Sequence, residues 1–210
     1  VGGSTRVPAV QALVRRLTMY KLRSSIEILP DETDGLSVSW GEDAGMDGIA
    51  DTRFAKAGID LRRIPGRRAE AIDGDYDAAR IAAGVAVSGR DYTLQDAFPH
   101  DVLMDLNAGL SFRKGCYVGQ EVVSRMQHRG TARRRVLLAS GDGALPAPGT
   151  AITAAGRAVG ALGSVDTSEG VAIVRIDRVK DAQDAGTPIL AGDVPVRLAI
   201  PGWASFRFPD

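Results

Sequence analysis

The chain has 210 residues, 44% of them hydrophobic and 25% charged, and its 26 Lys and Arg balance 26 Asp and Glu. That length holds one large domain or two small ones, and the composition is that of a globular chain, not a disordered or fibrous one. A single cysteine excludes an internal disulfide framework. With only two histidines beside it, the chain falls short of the four N or S ligands of a self-contained zinc site, and no apolar run reaches membrane-spanning length.

No signal-peptide pattern follows Val1. Together with the cysteine count this points to a reducing compartment and a cytoplasmic location, away from any membrane. The charge is zero in sum but blocked along the chain. Asp31 to Asp51 carries seven acids and no Lys or Arg, whereas Arg113 to Arg135 carries seven Lys and Arg against one acid, Glu121. Such a block is either a solvated face or an anion-binding surface.

Pro8 to Tyr20 predicts a helix: Val10, Leu13, Val14 and Leu17 form one apolar stripe, Thr5 offers a cap and Pro8 suits the first turn. Lys21 to Leu29 alternates enough for a strand. Asp34-Gly35 marks a turn, Leu36 to Trp40 a second strand, and Leu61 to Ile64 a third, closed by Pro65-Gly66. Asp75 to Ala83 reads as a helix ended by Gly84, Ser88 to Gln95 as loop, Val102 to Leu106 as a short apolar segment, and Tyr117 to Gln127 as a helix. Beyond Gly130 the texture changes to short β-prone runs near Val136, Ala151, Ala158, Val171, Thr187 and Val194, punctuated by Gly and Pro. This predicts a small β-barrel or sandwich, with the boundary between Gly130 and Val136.

The densest chemistry lies in Lys114-Gly115-Cys116-Tyr117-Val118-Gly119-Gln120-Glu121. Two glycines frame the only cysteine. A helix starting near Val118 or Gly119 would put Cys116 at its positive end, where the helix dipole and Lys114 favour a thiolate. Burial as an inert apolar filler is the competing reading of a lone cysteine. Gln120 and Glu121 in the first turn offer hydrogen bonds to a ligand or to exposed N–H groups, and Glu121 with Arg125 has the i, i+4 spacing of an ion pair. No histidine is near enough in sequence to act as the base of a cysteine hydrolase. Arg125, His128, Arg129, Arg133, Arg134 and Arg135 form a second constellation suited to phosphates or a polycarboxylate. Without interleaved aromatics it predicts at most a weak, non-specific RNA contact through Arg129, Arg133, Arg134 and Arg135.

The octapeptide and its continuation, Val122-Val123-Ser124-Arg125, resemble the signature of the YgfZ-type folate-binding proteins, relatives of the aminomethyltransferase (T-protein, GcvT) of the glycine cleavage system. Leu17 to Arg23, Asp51-Thr52-Arg53, Arg80 to Gly84, Phe98-Pro99-His100 and the arginines after Gly130 resemble that family in the same order. The resemblance covers most of the chain from about Gln11.

It implies an α+β folate-binding body over residues 1–132, lacking part of the family's N-terminal region, and a C-terminal β-barrel over 133–210. It also implies a tetrahydrofolate-binding accessory protein of iron–sulfur cluster assembly or repair. The partners would be cluster-assembly proteins and client enzymes, radical enzymes that modify tRNA among them, and the chain is expected to be monomeric. Cys116 carries over as the functional thiol. Lys114, Gly115, Tyr117, Gly119, Gln120, Glu121 and Arg125 carry over as the residues that bind tetrahydrofolate or a derivative. The alternative is a tetrahydrofolate-dependent aminomethyltransferase, against which stands Ala82 where those enzymes commonly carry Glu.

Overall fold

A computed structural model describes residues 7–30, 35–41, 47–66, 76–130 and 132–209, with side chains outside residues 7–9 and 129. Thr5, Asp34 and most of the acidic block lie outside the described residues. The chain divides into two units, Val1–Ala50 with Leu61–Ile72, and Asp51–Asp60 with Asp73–Asp210.

In the first unit the predicted helix forms as α1 (Val7–Tyr20). The strand expected at Lys21 to Leu29 does not form. Leu22 takes a left-handed φ of 48° and Lys21 Nζ donates to the Ile26 carbonyl at 2.7 Å, so the chain turns there. Leu22 and Leu29 are both largely exposed; an alternating pattern makes a strand only where a neighbouring strand pairs with it. Farther on, β1 (Leu36–Trp40), β2 (Ile49–Ala50) and β3 (Leu61–Pro65) form an antiparallel sheet in the order β1-β3-β2, with Trp40 opposite Leu61 and Ile49 opposite Arg63.

The second unit opens with a single-turn helix, α2 (Thr52–Ala55), capped by the Asp51 carboxylate, which accepts from the Arg53 N–H at 3.2 Å. Its Phe54 is fully buried, with the Tyr76 ring 6.0 Å away. Next come α3 (Tyr76–Ala82), ended by Gly84 at a φ of 65°, and α4 (Gln120–Arg129).

After α4 the seven strands are β4 (Arg134–Ser140), β5 (Ala151–Ala154), β6 (Arg157–Asp166), β7 (Glu169–Arg175), β8 (Ile189–Ala191), β9 (Val194–Pro195) and β10 (Arg197–Ala199), with a helix α5 (Ile176–Asp184) between β7 and β8. They pair antiparallel in the order β10-β4-β7-β6-β5-β8-β9 and make a nearly closed barrel. Register shifts after Ile152 and Leu162 bend β5 and β6, as closure demands.

The period-two alternation of β4 and β7 serves two cores at once. Leu137, Ala139, Ala172 and Val174 face the barrel interior, where α5 adds Ile176, Val179 and Ala182. Val136, Val171 and Ile173 face the other way and pack with Ile81 of α3 and with Leu103. Burial on both faces explains why these strands read as continuous apolar runs. The expected class, mixed α and β elements followed by a small barrel, is the one observed. Helix α5 was not expected: its first residue, Ile176, ends the β-prone run that starts at Val171, which reads as strand throughout.

Candidate functional site

The motif loop begins where Leu110 N–H donates to the Met104 carbonyl at 3.0 Å. The Ser111 hydroxyl then accepts from the Lys114 N–H at 3.2 Å, and the Tyr117 carbonyl from the Gln120 N–H at 3.2 Å. Gly119 opens α4 in the left-handed region at a φ of 86°, a conformation that costs glycine little. The helix therefore starts at Gln120, slightly later than expected, and Cys116 lies in the loop ahead of it.

Cys116 is exposed, which removes the inert-filler reading. Gly115 and Gly119 both face open space, and Val118 next to them is fully exposed. The Lys114 ammonium sits 4.5 Å from the centre of the Tyr117 ring, a cation–π contact that orders the side chains flanking the thiol. Gln120 is half-buried, whereas Glu121 and Arg125 are exposed and form no ion pair with each other, contrary to the i, i+4 expectation. Val123 is the one buried residue among the described side chains of α4.

The arginine constellation is less available than its sequence suggests. Arg135 is buried, donating to the His100 carbonyl at 2.8 Å and to both Asp105 oxygens at 2.8 and 2.9 Å, with the Phe206 ring at 5.0 Å. It is a structural ion pair and is corrected from the RNA-contacting set. Arg134 donates to the Asp96 carboxylate at 3.4 Å and lies 3.9 Å from Asp101. Arg133 is largely exposed and only 4.0 Å from Asp177. The Arg129 side chain lies outside the described residues.

Two buried groups escaped the sequence reading. Arg80 has no solvent exposure; it donates to Asp91 at 2.7 Å, to the Val85 carbonyl at 3.0 Å and to the Ser164 hydroxyl at 2.6 Å. Asp101, 2% exposed, has its carboxyl pushed up by burial, against the opposing Phe98 N–H and the Arg134 and Arg135 charges. Arg80 was legible only as part of a stretch that resembles the family, and Asp101 carried no signal beyond its place next to His100.

Two cavities open in the second unit. One, of about 720 Å³, lies between Tyr92 and Leu94 and the strand residues Val159 and Ile173. The other, of about 620 Å³, is lined by His100, Gln127, Arg133, Lys180, Asp181 and Phe206 among others. Neither includes any of Lys114, Gly115, Cys116, Tyr117, Gly119, Gln120, Glu121 and Arg125. Residues 111–116 are all exposed, so this part of the loop presents an open surface. A pterin ring needs an apolar wall on each face and buried polar partners at its edge, and these eight residues do not build that enclosure, so no step is assigned to a folate. Among the described residues no helix is long and apolar enough to cross a membrane, and no cluster of His, Cys, Asp and Glu is placed to hold a metal.

Residues 133–206 match the family model described as the CAF17 C-terminal beta-barrel domain. Over 88% of its length the chain is 28% identical to the human mitochondrial iron–sulfur cluster assembly factor IBA57, covering 60% of that protein. It is 30% identical to the mouse IBA57 across 61% of the chain and 37% of the relative. To an IBA57 homolog of Phaeosphaeria nodorum it is 32% identical, across 60% of the chain and 35% of the relative. The chain thus spans 60% or less of the length of these relatives. None of these names carries the expected YgfZ type. They also overturn the cytoplasmic expectation: each of these relatives is a mitochondrial protein. One cysteine and the lack of a membrane-length apolar run do not distinguish one reducing compartment from another.

Proposed function

We propose that this chain acts in iron–sulfur cluster assembly, with Cys116 as the residue that meets the cluster or its carrier. The observation that carries this reading is the exposure of the only cysteine on a glycine-framed loop, in a chain similar to iron–sulfur cluster assembly factors. Open space at Gly115 and Gly119 lets a partner's surface come close to the sulfur. One thiolate cannot hold a cluster, so the other ligands come from a partner protein or a small thiol. The mitochondrial setting of the relatives is part of the proposal, as is the division into a body over 1–132 and a barrel domain over 133–210. Radical enzymes that modify tRNA are the finer expectation for clients. Tetrahydrofolate as ligand rests on the resemblance of the motif alone; the eight residues do not enclose a pterin by themselves, so its binding would need walls from elsewhere, and protection of Cys116 from alkylation by tetrahydrofolate tests it.

The test is cluster transfer to an apo iron–sulfur acceptor, followed by visible absorbance and acceptor activation, with the wild-type chain and Cys116→Ala. The variant is expected to fold normally and lose the stimulation. Full stimulation by the variant would remove Cys116 from the reaction.

A further inference from the structure

We infer that His100 is a positioning residue for the Cys116 loop, an assignment that rests on the reading of Cys116 above. His100 is 1% exposed and reaches both flanks of the motif. On the N-terminal side its ring centre is 6.4 Å from that of Phe112, tilted by 58°, at the separation of an aromatic pair. On the C-terminal side its Nε2 is 3.4 Å from Gln127 Oε1, in the second half of α4. Its own backbone carbonyl accepts from Arg135 of β4 at 2.8 Å, which fixes the segment to the barrel. One side chain on a fixed segment thus touches the residues just before and just after the stretch that displays the thiol.

The stretch has few other ties. Residues 111–116 are all exposed, and Val123 is the one buried residue among the described side chains of α4. Among the described residues, the His100–Gln127 contact is the one side-chain hydrogen bond that α4 makes. The ring's chemistry points the same way. With Gln127 Oε1 facing it, Nε2 is the donor, and Nδ1 is then a buried acceptor with no partner. An unpaired buried polar atom is a cost to stability, so a phenyl ring of similar shape would suit the packing better. What phenyl cannot do is hold Gln127.

The experiment is hydrogen exchange on the full chain, comparing wild type with His100→Phe, Gln127→Ala and the double variant. His100→Phe keeps the ring beside Phe112 and loses the bond to Gln127. It is expected to melt at the wild-type temperature or above, yet to exchange about threefold faster over 109–129, with β4 and β7 unchanged. Gln127→Ala is expected to do the same, and the double variant to exceed neither single change, as a shared contact requires. Wild-type exchange over 109–129 in His100→Phe would reduce the residue to packing and overturn the inference, as would additive effects in the double variant. Should His100→Phe fail to fold, Gln127→Ala, at an exposed position, carries the same expectation and the same refutation. The readout is independent of cluster transfer, so failure of the Cys116 reading and failure of this assignment are distinguishable.

Discussion

The Arg80 guanidinium donates to the Asp91 carboxylate at 2.7 Å with neither side chain exposed to solvent. Asp91 also accepts from the Val87 and Ser164 backbone N–H groups, each at 2.6 Å. The pair therefore ties α3, the loop after it and β6 of the barrel together. Removing Asp91 leaves the buried Arg80 with only the partly exposed Asp77 carboxylate, 3.1 Å from its Nε, as counter-charge, and leaves two backbone N–H groups without their acceptor, at a cost of about 3–5 kcal/mol. Asp91→Ala is expected to lower stability by that amount in urea denaturation, and a loss under about 1 kcal/mol would show that water or another group takes over.

Gly163 forms part of the cradle for that carboxylate. A Cβ built there would lie 2.7 Å from Asp91 Oδ1 and 3.0 Å from Val171 Cγ2. Gly163→Ala is expected to destabilise by about 1–3 kcal/mol through overpacking, although alanine is ordinarily better than glycine in a strand. The same denaturation series checks it, with no change expected in Cys116 alkylation.

Asp77 and Asp101 predict opposite responses to pH. Burial raises the Asp77 carboxyl, but hydrogen bonds from Arg90 and Arg80 outweigh it and hold the group below its ordinary value of 3.8. Its contribution to stability is present above the ordinary value and lost as pH falls through the lowered one. Asp101, raised by burial, binds its proton more tightly when folded, so stability falls as pH rises from the ordinary carboxylate range through the raised value. Asp77→Asn is expected to approach wild-type stability as pH falls below the ordinary carboxylate range, and Asp101→Asn to gain on wild type as pH rises out of that range. Thermal melts across that range read both.

Arg133 and Arg135 should part company on mutation. Arg135→Ala strands the buried Asp105 carboxylate and should cost about 3–5 kcal/mol. The Arg133→Ala change, at an exposed site, should stay within about 0.5 kcal/mol. Equal effects would contradict the burial of Arg135.

Cys116→Ala, on an open loop, should shift stability by no more than about 0.5 kcal/mol while removing all reaction with iodoacetamide. A larger loss of stability would mean that the thiol packs against something.

Where the governing interactions are local, residues and their spacing were enough. The 3.6-residue stripe of α1, the Gly84 stop of α3, the octapeptide with its following helix, and the glycine-punctuated strands after Gly130 depend on neighbours a few positions apart. The strand expected at Lys21 to Leu29 failed, and α5 went unseen, because a short apolar run takes its conformation from what packs on it. Ile176, Val179 and Ala182 read as a helical face only once the barrel interior exists to receive them. The candidate site divides the same way. Its cysteine and glycines could be read off the motif, but the exposure of Cys116, the withdrawal of Arg135 into a pair with Asp105, and the Arg80–Ser164 bond across 84 positions could not. Burial and charge pairing are set by residues far apart in the chain, and folding alone brings them within a few ångströms of one another.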